Sequence, residues 1–463
     1  MSSYLLPQIL YSNDLHTHIV PIFSEKKDVI INKTLHKYLN SLKGQIDECE
    51  MAWDKYKKYT NPYEFIHTIV PNSRQAICLY KPLSRSFFKM IEIVHLTDIL
   101  HNSNNNANNA NNHLPLPYKT FHLAEGPGGF IEAIAYLRNN PNDIYYGMTL
   151  LEEHNTNVPG WRKSKEFLAS HPNVIIEKGI DGRGDLMNPR NFLHCLKNYR
   201  GQCDLITGDG GFDFSVHYLS QEIVSSSLIL CQISFAIAMQ KIGGTFIIKM
   251  FDTFSKISLD ILYLLANAYE VIRVVKPHTS RYANSEKYIV CKNFQLNEKN
   301  RQDIVNMLYK MIVLIHDNNI LSIKKEYMQT DCCPECEALR YEAIRVESMR
   351  RQSEVTTHME SLFKLKLPYY FVNKVEEVNA IFGQQQIENI NMTLNLIDNN
   401  KYDKLELIKK NNIHKCIQWC KQHGLEYNVA VQQNNIFLAS KRTQVGVGVG
   451  FGFGNRYTER LNV

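Results

Sequence analysis

Three ionisable residues stand where apolar, strand-like segments end or begin. Asp209 follows CDLITG, Lys249 lies near the end of GGTFIIKMF, and Glu286 precedes KYIVCKNF. Such a residue at the end of an apolar strand is less often merely structural than one on a helix face. These strands would bring the three charges together at one edge of a sheet. A lysine held there by carboxylates, and destabilised by burial and a second cation, could take a proton from a weakly acidic hydroxyl group.

A second lysine upstream could complete this set. Lys89 lies in SRSFFKMIEI, which has a helical pattern. From the sequence alone, an isolated lysine on an amphipathic helix is more often a solvated residue than part of a buried site. Lys89 is therefore a candidate for the site, although the pattern of its own segment favours a solvated lysine.

A glycine-rich turn, AEGPGGF at residues 124–130, follows the first predicted core strand and opens a helix. Open α/β sheets bind ligands at this position, but the glycine spacing matches neither a dinucleotide-binding nor a triphosphate-binding loop. Glu125 would repel phosphates, and it could accept a hydrogen bond from the amino group of a methionine-like ligand. The turn therefore favours S-adenosylmethionine over NAD or ATP, although a glycine-rich turn alone often only reverses the chain.

A second glycine-containing segment, GIDGRGDL at residues 179–186, follows the third predicted strand. A carboxylate there could accept a hydrogen bond from an adenine amino group, and Asp185 is the candidate. From spacing alone, a turn without a ligand is the preferred interpretation.

Short apolar runs alternate with amphipathic stretches from Phe121 onward. The alternation predicts an α/β domain with a mostly parallel sheet and helices on both faces. We place a helical N-terminal extension at residues 1–65 and the α/β domain at 66–298, with an insertion at 101–113 whose Asn-rich sequence cannot bury apolar surface. A helical C-terminal region at 299–440 and a Gly-rich tail at 441–463 complete the predicted organisation.

The composition limits the kind of partner and the location that we expect for the protein. The formal charge of +6 is a mild basic excess that suits a polyanionic partner. We identify no leader segment and no stretch approaching the roughly 20 apolar residues of a membrane span, so we expect a soluble, intracellular protein, cytoplasmic or nuclear, without a membrane partner.

Cysteine usage favours free thiols. Eleven cysteines are scattered through the chain, which is typical of reduced thiols rather than a disulfide framework. Only Cys332, Cys333 and Cys336 cluster, and Cys416 and Cys420 could meet them around a zinc ion. Free cysteines are the preferred interpretation, so we expect no metal site.

Several motifs occur together in a fixed order: SRSFFKMIEI, LAEGPGGF, YGMTL, GIDGRGDL, TGDGGFD, LCQISFAIAMQKIGGTFIIKMFDTFS and KPHTSRYANSEKYIVCKN. In this order they resemble the FtsJ/RrmJ-like 2′-O-ribose methyltransferases, from about Ser84 to Asn293. The long GIDGRGDL and TSRYANSE blocks favour the cap-specific messenger-RNA branch of eukaryotes and large DNA viruses. The resemblance implies a Rossmann-like, S-adenosylmethionine-dependent fold whose seven-stranded sheet contains one antiparallel strand.

The resemblance also implies residue roles. It implies a Lys-Asp-Lys-Glu tetrad, hereafter the tetrad, formed by Lys89, Asp209, Lys249 and Glu286, with Lys249 as the general base. Lys81 is an alternative for the first position, but the flanks of Lys89 match better. The implied contacts to the methyl donor are Ser84, Glu125, Gly126, Pro127, Gly128, Gly129, Phe130 and Asp185.

The implied reaction is methyl transfer to the ribose 2′-hydroxyl of a 5′-terminal nucleotide of capped mRNA. Arg281 and Tyr282 are candidate substrate-binding residues, and the capped mRNA 5′ end and other capping enzymes are candidate partners. Two alternatives stay open: a 2′-O-methyltransferase of ribosomal or transfer RNA, and a catalytically inactive RNA- or partner-binding subunit of a capping complex. The sequence does not distinguish the first from the second transcribed nucleotide as the target.

Overall fold

The computed structural model describes residues 2–9, 15–24, 28–100, 117–152, 158–211, 220–327, 358–399 and 402–428. The predicted Asn-rich insertion, the Cys332, Cys333 and Cys336 cluster and the Gly-rich tail lie outside the described residues. The described cysteines are free thiols.

Ten strands lie in the described residues: β1 (Ser2–Leu5), β2 (Ile19–Ser24), β3 (Lys119–Leu123), β4 (Ile144–Met148), β5 (Val174–Ile176), β6 (Cys203–Gly208), β7 (Gln240–Met250), β8 (Tyr269–Lys276), β9 (Lys287–Phe294) and β10 (His358–Phe363). Eight of them form one sheet in the order β1-β8-β9-β7-β6-β3-β4-β5. The strands from β3 to β8 run parallel to one another, and β9 lies antiparallel between β7 and β8. This confirms the predicted mostly parallel sheet, and β9 is the antiparallel strand that the family resemblance implies.

The N-terminal segment adds strands that the sequence did not predict. β1 lies antiparallel to β8 and makes the sheet eight-stranded, and β2 pairs with β10 in a separate two-stranded sheet. The prediction of a helical extension over residues 1–65 therefore needs correction. Both strands are short, and their partners come from distant segments, so no local periodicity indicates them.

Eleven α-helices lie in the described residues: α1 (Lys33–Asp47), α2 (Glu50–Thr60), α3 (Ser86–Thr97), α4 (Gly129–Arg138), α5 (Lys165–Ser170), α6 (Pro189–Tyr199), α7 (Gln221–Met239), α8 (Lys256–Ala268), α9 (Glu298–Tyr327), α10 (Tyr369–Asn399) and α11 (Tyr402–Gln422). They cover both faces of the sheet, as predicted. Successive residues of one strand point to opposite faces, so Ile247 packs with α3, α4 and α11, whereas Ile248 packs with α7 and α8.

Helix α7 corrects the expectation about membrane-length segments. By length and composition it could cross a membrane, and 72% of its apolar window is buried inside the fold. It packs against β7, α6 and α9. A helix that protein covers on most sides is apolar around its whole circumference, as a membrane-spanning helix is. The burial of α7 in the core therefore explains its composition.

The C-terminal region contains β10 in addition to its helices, and polar contacts attach β10 and α10 to the sheet domain. Asp260 of α8 accepts hydrogen bonds from the backbone N–H groups of Leu362 and Phe363 at 2.9 and 3.2 Å. On α10, Asn389 donates to the backbone of Thr60 at 2.8 Å. These contacts hold α10 beside α1 and α2, next to the sheet edge that carries the tetrad.

Candidate active site

The order of the strands places the tetrad at one edge of the sheet. Asp209 directly follows β6, Lys249 is the penultimate residue of β7, and Glu286 directly precedes β9. Because β9 runs antiparallel to β7, its first residue lies at the edge where β6 and β7 end. Lys89 reaches this edge from α3. The structure thus brings all four predicted residues together.

The tetrad forms two ion pairs. Nζ of Lys89 lies 2.6 Å from Oε1 of Glu286, and Nζ of Lys249 lies 3.2 Å from Oδ1 of Asp209. Lys249 also donates to the backbone oxygen of Asp209 at 2.5 Å. The side chains of Lys89 and Glu286 are 6% and 11% exposed, against 14% and 17% for Lys249 and Asp209. A substrate atom would therefore reach the Lys249 pair more easily.

Burial and charge act against each other in the inner pair. Burial lowers the pKa of the Lys89 ammonium, although Glu286 partly offsets this. Burial alone would raise the pKa of Glu286, but the cations Lys89 and Lys249 outweigh it and hold that pKa well below its usual range. Glu286 therefore stays ionised, and it keeps both lysines at this edge.

Three residues that the sequence analysis missed support the tetrad. The phenol of Tyr288 donates to Oδ1 of Asp209 at 3.1 Å, and the hydroxyl of Ser280 donates to Oε1 of Glu286 at 2.8 Å. Tyr288 stands two positions after Glu286, a spacing that places both side chains on one face of a strand. That spacing was the available signal for Tyr288, whereas nothing local indicates Ser280.

Lys276 is the third such residue, and it fixes the segment that carries Glu286. Its Nζ donates to the backbone oxygens of Glu286 and Asn284 at 2.7 and 2.8 Å and to Oδ1 of Asn284 at 3.1 Å. These three acceptors use all three ammonium hydrogens. Burial lowers the pKa of Lys276 to about 7.

The turn after β6 depends on the absence of two side chains. A Cβ at Gly208 or Gly210 would lie 2.6 or 2.7 Å from the amide of Gln232 on α7. That amide accepts a hydrogen bond from the Gly210 N–H at 3.1 Å. A Cβ at Gly211 would lie 3.3 Å from Nζ of Lys249, so this glycine keeps the approach to the lysine open.

The glycine turn after β3 holds a buried carboxylate with an unused oxygen. Oε1 of Glu125 accepts a hydrogen bond from the Phe130 N–H at 2.5 Å, whereas Oε2 is buried and has no hydrogen-bond partner among the described residues. Burial, together with the charge of Asp209, raises the pKa of Glu125 well above its usual value. A buried, unpaired oxygen is costly, and a hydrogen-bond donor in a ligand would satisfy it.

The remaining donor-site candidates surround this turn. Ser84 and Ser86 bond to each other, and a Cβ at Gly129 would lie only 2.3 and 2.2 Å from their hydroxyl oxygens. The indole of Trp161 covers the other side, 3.3 Å from the ideal Cβ position of Gly128. Trp161 therefore packs on the glycine turn.

Asp185 lies in the loop that follows β5. Its Oδ1 accepts a hydrogen bond from the Met187 N–H at 2.9 Å, which is a local turn contact. Gly184 packs directly on the end of β4, since a Cβ there would lie 2.3 Å from the backbone oxygen of Thr149. The loop therefore lies at the same sheet edge as the glycine turn.

The two substrate-binding candidates differ in their surroundings. Arg281 donates to both carboxylate oxygens of Glu64, at 3.0 and 2.6 Å, and lines a cavity next to Glu286. The hydroxyl of Tyr282 lies 2.7 Å from Nδ1 of His278, and its backbone N–H donates to Asn61. Lys81 is exposed, in contrast to the buried Lys89.

Comparison with known proteins identifies the sheet domain. Residues 82–294 match the family described as FtsJ-like methyltransferase. Residues 82–294 are an FtsJ-like methyltransferase domain. The domain covers the tetrad, the glycine turn and every predicted donor contact, and it confirms the family resemblance.

Curated relatives extend the similarity beyond this domain. The chain is 28% identical over 308 residues to "Cap-specific mRNA (nucleoside-2'-O-)-methyltransferase 1" of Xenopus laevis, covering 62% of this chain and 34% of that protein. The protein of the same name from Mus musculus is 30% identical over 274 residues, with 52% and 32% covered. The aligned part is thus about a third of the length of these relatives.

A solved structure of a ribosomal RNA methyltransferase from Plasmodium falciparum covers 46% of this chain and 97% of its own, at 19% identity and a TM-score of 0.30. At that score the similarity carries no inference about function.

Replacing Lys89 by Met should leave Glu286 as a buried carboxylate without its nearest cation. Removing one partner of a buried pair costs about 3–5 kcal/mol, so we expect the free energy of unfolding to fall by about that amount. The matched control is Lys81→Met, an exposed substitution expected to stay within about 0.5 kcal/mol of wild type. Urea unfolding of both variants measures this. Equally small losses of stability in both variants would show that Lys89 does not neutralise the charge of Glu286.

Replacing Glu125 by Gln should change how stability depends on pH. Because the folded pKa of Glu125 is raised, the folded protein binds the proton more tightly, and stability is lost as pH rises above the unfolded pKa. Gln cannot ionise, so the melting temperature of the variant should increasingly exceed that of wild type as pH rises above the ordinary carboxyl pKa of 4.5. Exposed Glu166→Gln is the control. A melting-temperature difference that does not change with pH would contradict this assignment.

Proposed function

We propose that the protein transfers a methyl group from S-adenosylmethionine to the ribose 2′-hydroxyl of a nucleotide at the 5′ end of capped mRNA. The observation that carries the proposal is the pairing of Lys249 with Asp209 and of Lys89 with Glu286, at the sheet edge that also holds the glycine turn. The methyltransferase family of the domain supports the reaction class. The printed names of the relatives support capped mRNA as the substrate.

The residues of the glycine turn fit the methyl donor. The unpaired Oε2 of Glu125 can accept a hydrogen bond from an α-amino group, and the glycines let a ligand approach the backbone. Asp185, in the loop at the same edge, can accept a hydrogen bond from an adenine amino group. When bound, the donor supplies a methyl group on a positively charged sulfur, which a nucleophile can displace in line.

Lys249 activates the nucleophile. As the free amine, its Nζ takes the proton of the 2′-hydroxyl while the oxygen forms its bond to the methyl carbon. Asp209 holds Nζ through both a carboxylate and a backbone oxygen, so the lysine has a fixed position. Glu286 and Lys89 form the less exposed pair beside it.

All four tetrad residues are present and paired, which favours an active enzyme over an inactive binding subunit. Replacing a whole buried ion pair by apolar residues is often neutral or stabilising, so stability alone gives an inactive descendant no reason to keep both pairs. Methyl transfer to a structured ribosomal or transfer RNA uses the same chemistry, so the choice of RNA separates that alternative.

Methyl transfer with labelled S-adenosylmethionine tests this proposal on a short capped RNA and on its uncapped counterpart. Wild type should label the capped RNA at a ribose that then resists alkaline cleavage. Lys249→Met should lower the rate by about 100-fold or more, with donor affinity unchanged, because the loss of a general base typically costs 10²–10⁴-fold.

The matched control is Lys241→Met, which removes an exposed lysine from the other end of β7 and should retain activity. Labelling of uncapped structured RNA in preference to capped RNA would assign the protein to the ribosomal or transfer RNA class. Donor binding without labelling of any RNA would contradict the enzymatic proposal.

A further inference from the structure

Glu92 is a buried carboxylate that the proposed reaction does not use. It lies on α3, three positions after Lys89, and is 0% exposed. Residues three apart on a helix are neighbours on its surface, so Glu92 faces the same part of the fold as Lys89. Keeping a carboxylate in the interior is costly unless its oxygens accept hydrogen bonds. The partners of Glu92 therefore indicate what it does.

Both oxygens of Glu92 accept hydrogen bonds from one loop. Oε2 accepts from the backbone N–H of His278 at 2.7 Å, and Oε1 accepts from the backbone N–H of Thr279 at 2.8 Å. Burial raises the pKa of the Glu92 carboxyl, and these N–H groups act against the shift because they bind the ionised form. The carboxylate thus holds two successive backbone groups of the segment between β8 and β9.

That segment, the β8–β9 loop (residues 277–286), also carries Glu286 of the tetrad. Ser280, the residue after the two that Glu92 holds, donates through its hydroxyl to Oε1 of Glu286 at 2.8 Å. The same oxygen lies 2.6 Å from Nζ of Lys89. A closed chain of contacts therefore runs from Glu92 through the loop to the ion pair and returns to α3 at Lys89.

Helix α3 is a fixed support for this chain of contacts. Its residues Phe87, Phe88, Met90 and Ile91 are all 0% exposed. Trp419 of α11 packs edge-on against Phe88, with ring centroids 5.7 Å apart. The β8–β9 loop lacks the backbone hydrogen-bond ladder of a strand, so its buried N–H groups need partners of another kind. A carboxylate on a packed helix is such a partner.

We propose that Glu92 is a positioning residue for methyl transfer, which holds the β8–β9 loop against α3 so that Glu286 meets Lys89 in one geometry. The inference rests on the proposed function and adds to it a residue outside the tetrad. Glu286 in turn keeps both lysines of the tetrad at the sheet edge. A misplacement of about 1 Å caused by a residue away from the chemistry can lower a rate by about 100-fold.

Two variants of the full chain make the same chemical change at two buried carboxylates. Glu92→Gln keeps the shape of the side chain but leaves one acceptor oxygen, so one of the two backbone N–H groups loses its partner. Asp260→Asn is the matched control, because Asp260 is also 0% exposed and also accepts from two successive backbone N–H groups, those of Leu362 and Phe363. These two residues belong to β10, outside the sheet that carries the tetrad.

The measurements are kcat at saturating capped RNA, the affinity for the methyl donor, the melting temperature, and hydrogen exchange in the β8–β9 loop. We expect Glu92→Gln to lower kcat by about 10-fold or more with donor affinity unchanged, because the loop contact acts on the geometry of the tetrad. Exchange in the loop should become about 10-fold or more faster, since a hydrogen bond to a charged group is lost. Asp260→Asn should lower the melting temperature and leave kcat and exchange in the loop at their wild-type values.

A third variant, Ser280→Ala, distinguishes action through the loop from a general loss of stability. It removes the bond between the loop and Glu286, so adding Glu92→Gln to it should lower kcat by a smaller factor than in wild type. If Glu92→Gln does not fold, Glu92→Asp takes its place. That variant keeps both acceptor oxygens on a side chain one methylene shorter, and the same comparisons apply to it.

The proposal is overturned if the folded Glu92 variant has wild-type kcat, if Asp260→Asn loses as much activity, or if the Glu92 and Ser280 variants lower kcat by independent factors. Methyl transfer by wild type together with any of these results removes only the role of Glu92. Absence of transfer by wild type would overturn the proposed function and any role of Glu92 in it. Hydrogen exchange would then still decide whether Glu92 holds the loop.

Discussion

Two lysines lie at the carboxyl edge of one sheet, and neither could stay there without its carboxylate. Transferring an ammonium from water into protein costs several kcal/mol, and only a close counter-charge with further hydrogen bonds offsets this. Glu286 meets the requirement for Lys89, and Asp209 meets it for Lys249. The positions of β6, β7, β9 and α3 follow, because each must deliver one of these four groups to the same place.

The pKa values of two carboxyl groups in the site are shifted in opposite directions. Glu286 lies beside two lysines, so its pKa is depressed and it stays charged. Glu125 is buried near Asp209, so its pKa is raised, and one of its oxygens lacks a partner among the described residues. The first residue therefore holds the protein's own cations, whereas the second is suited to a hydrogen-bond donor from outside. This difference divides the sheet edge into a side for proton transfer and a side for the methyl donor.

Much of this arrangement was predictable from local signals. One signal is an apolar run that ends in an ionisable residue, and the other is a glycine-rich turn. Asp209, Lys249 and Glu286 could be found from the ends of their strands. Lys89 could not, since its own helix segment predicts a solvated lysine, and only the family resemblance selected it. Its burial depends on a partner 197 positions away in the sequence (286 − 89).

The parts that escaped prediction depend on contacts between distant segments. β1 and β2 pair with strands from the middle and the end of the chain, and Ser280 and Lys276 both bond to Glu286 across the segment before β9. The cavity that Arg281 lines needs helices from both ends of the chain, so no single segment indicates it. Periodicity reports which face of an element is buried, but it does not report what covers that face.

A double-mutant cycle on Lys89 and Glu286 tests most directly whether paired burial organises the site. The free energies of unfolding would be measured for wild type, Lys89→Met, Glu286→Gln and the double variant. Each single change leaves one buried group without its partner, whereas the double change removes both. We therefore expect the double variant to be more stable than the sum of the two losses predicts, by about 1–3 kcal/mol. Additive losses would contradict the account, because they would show that the two side chains do not depend on each other.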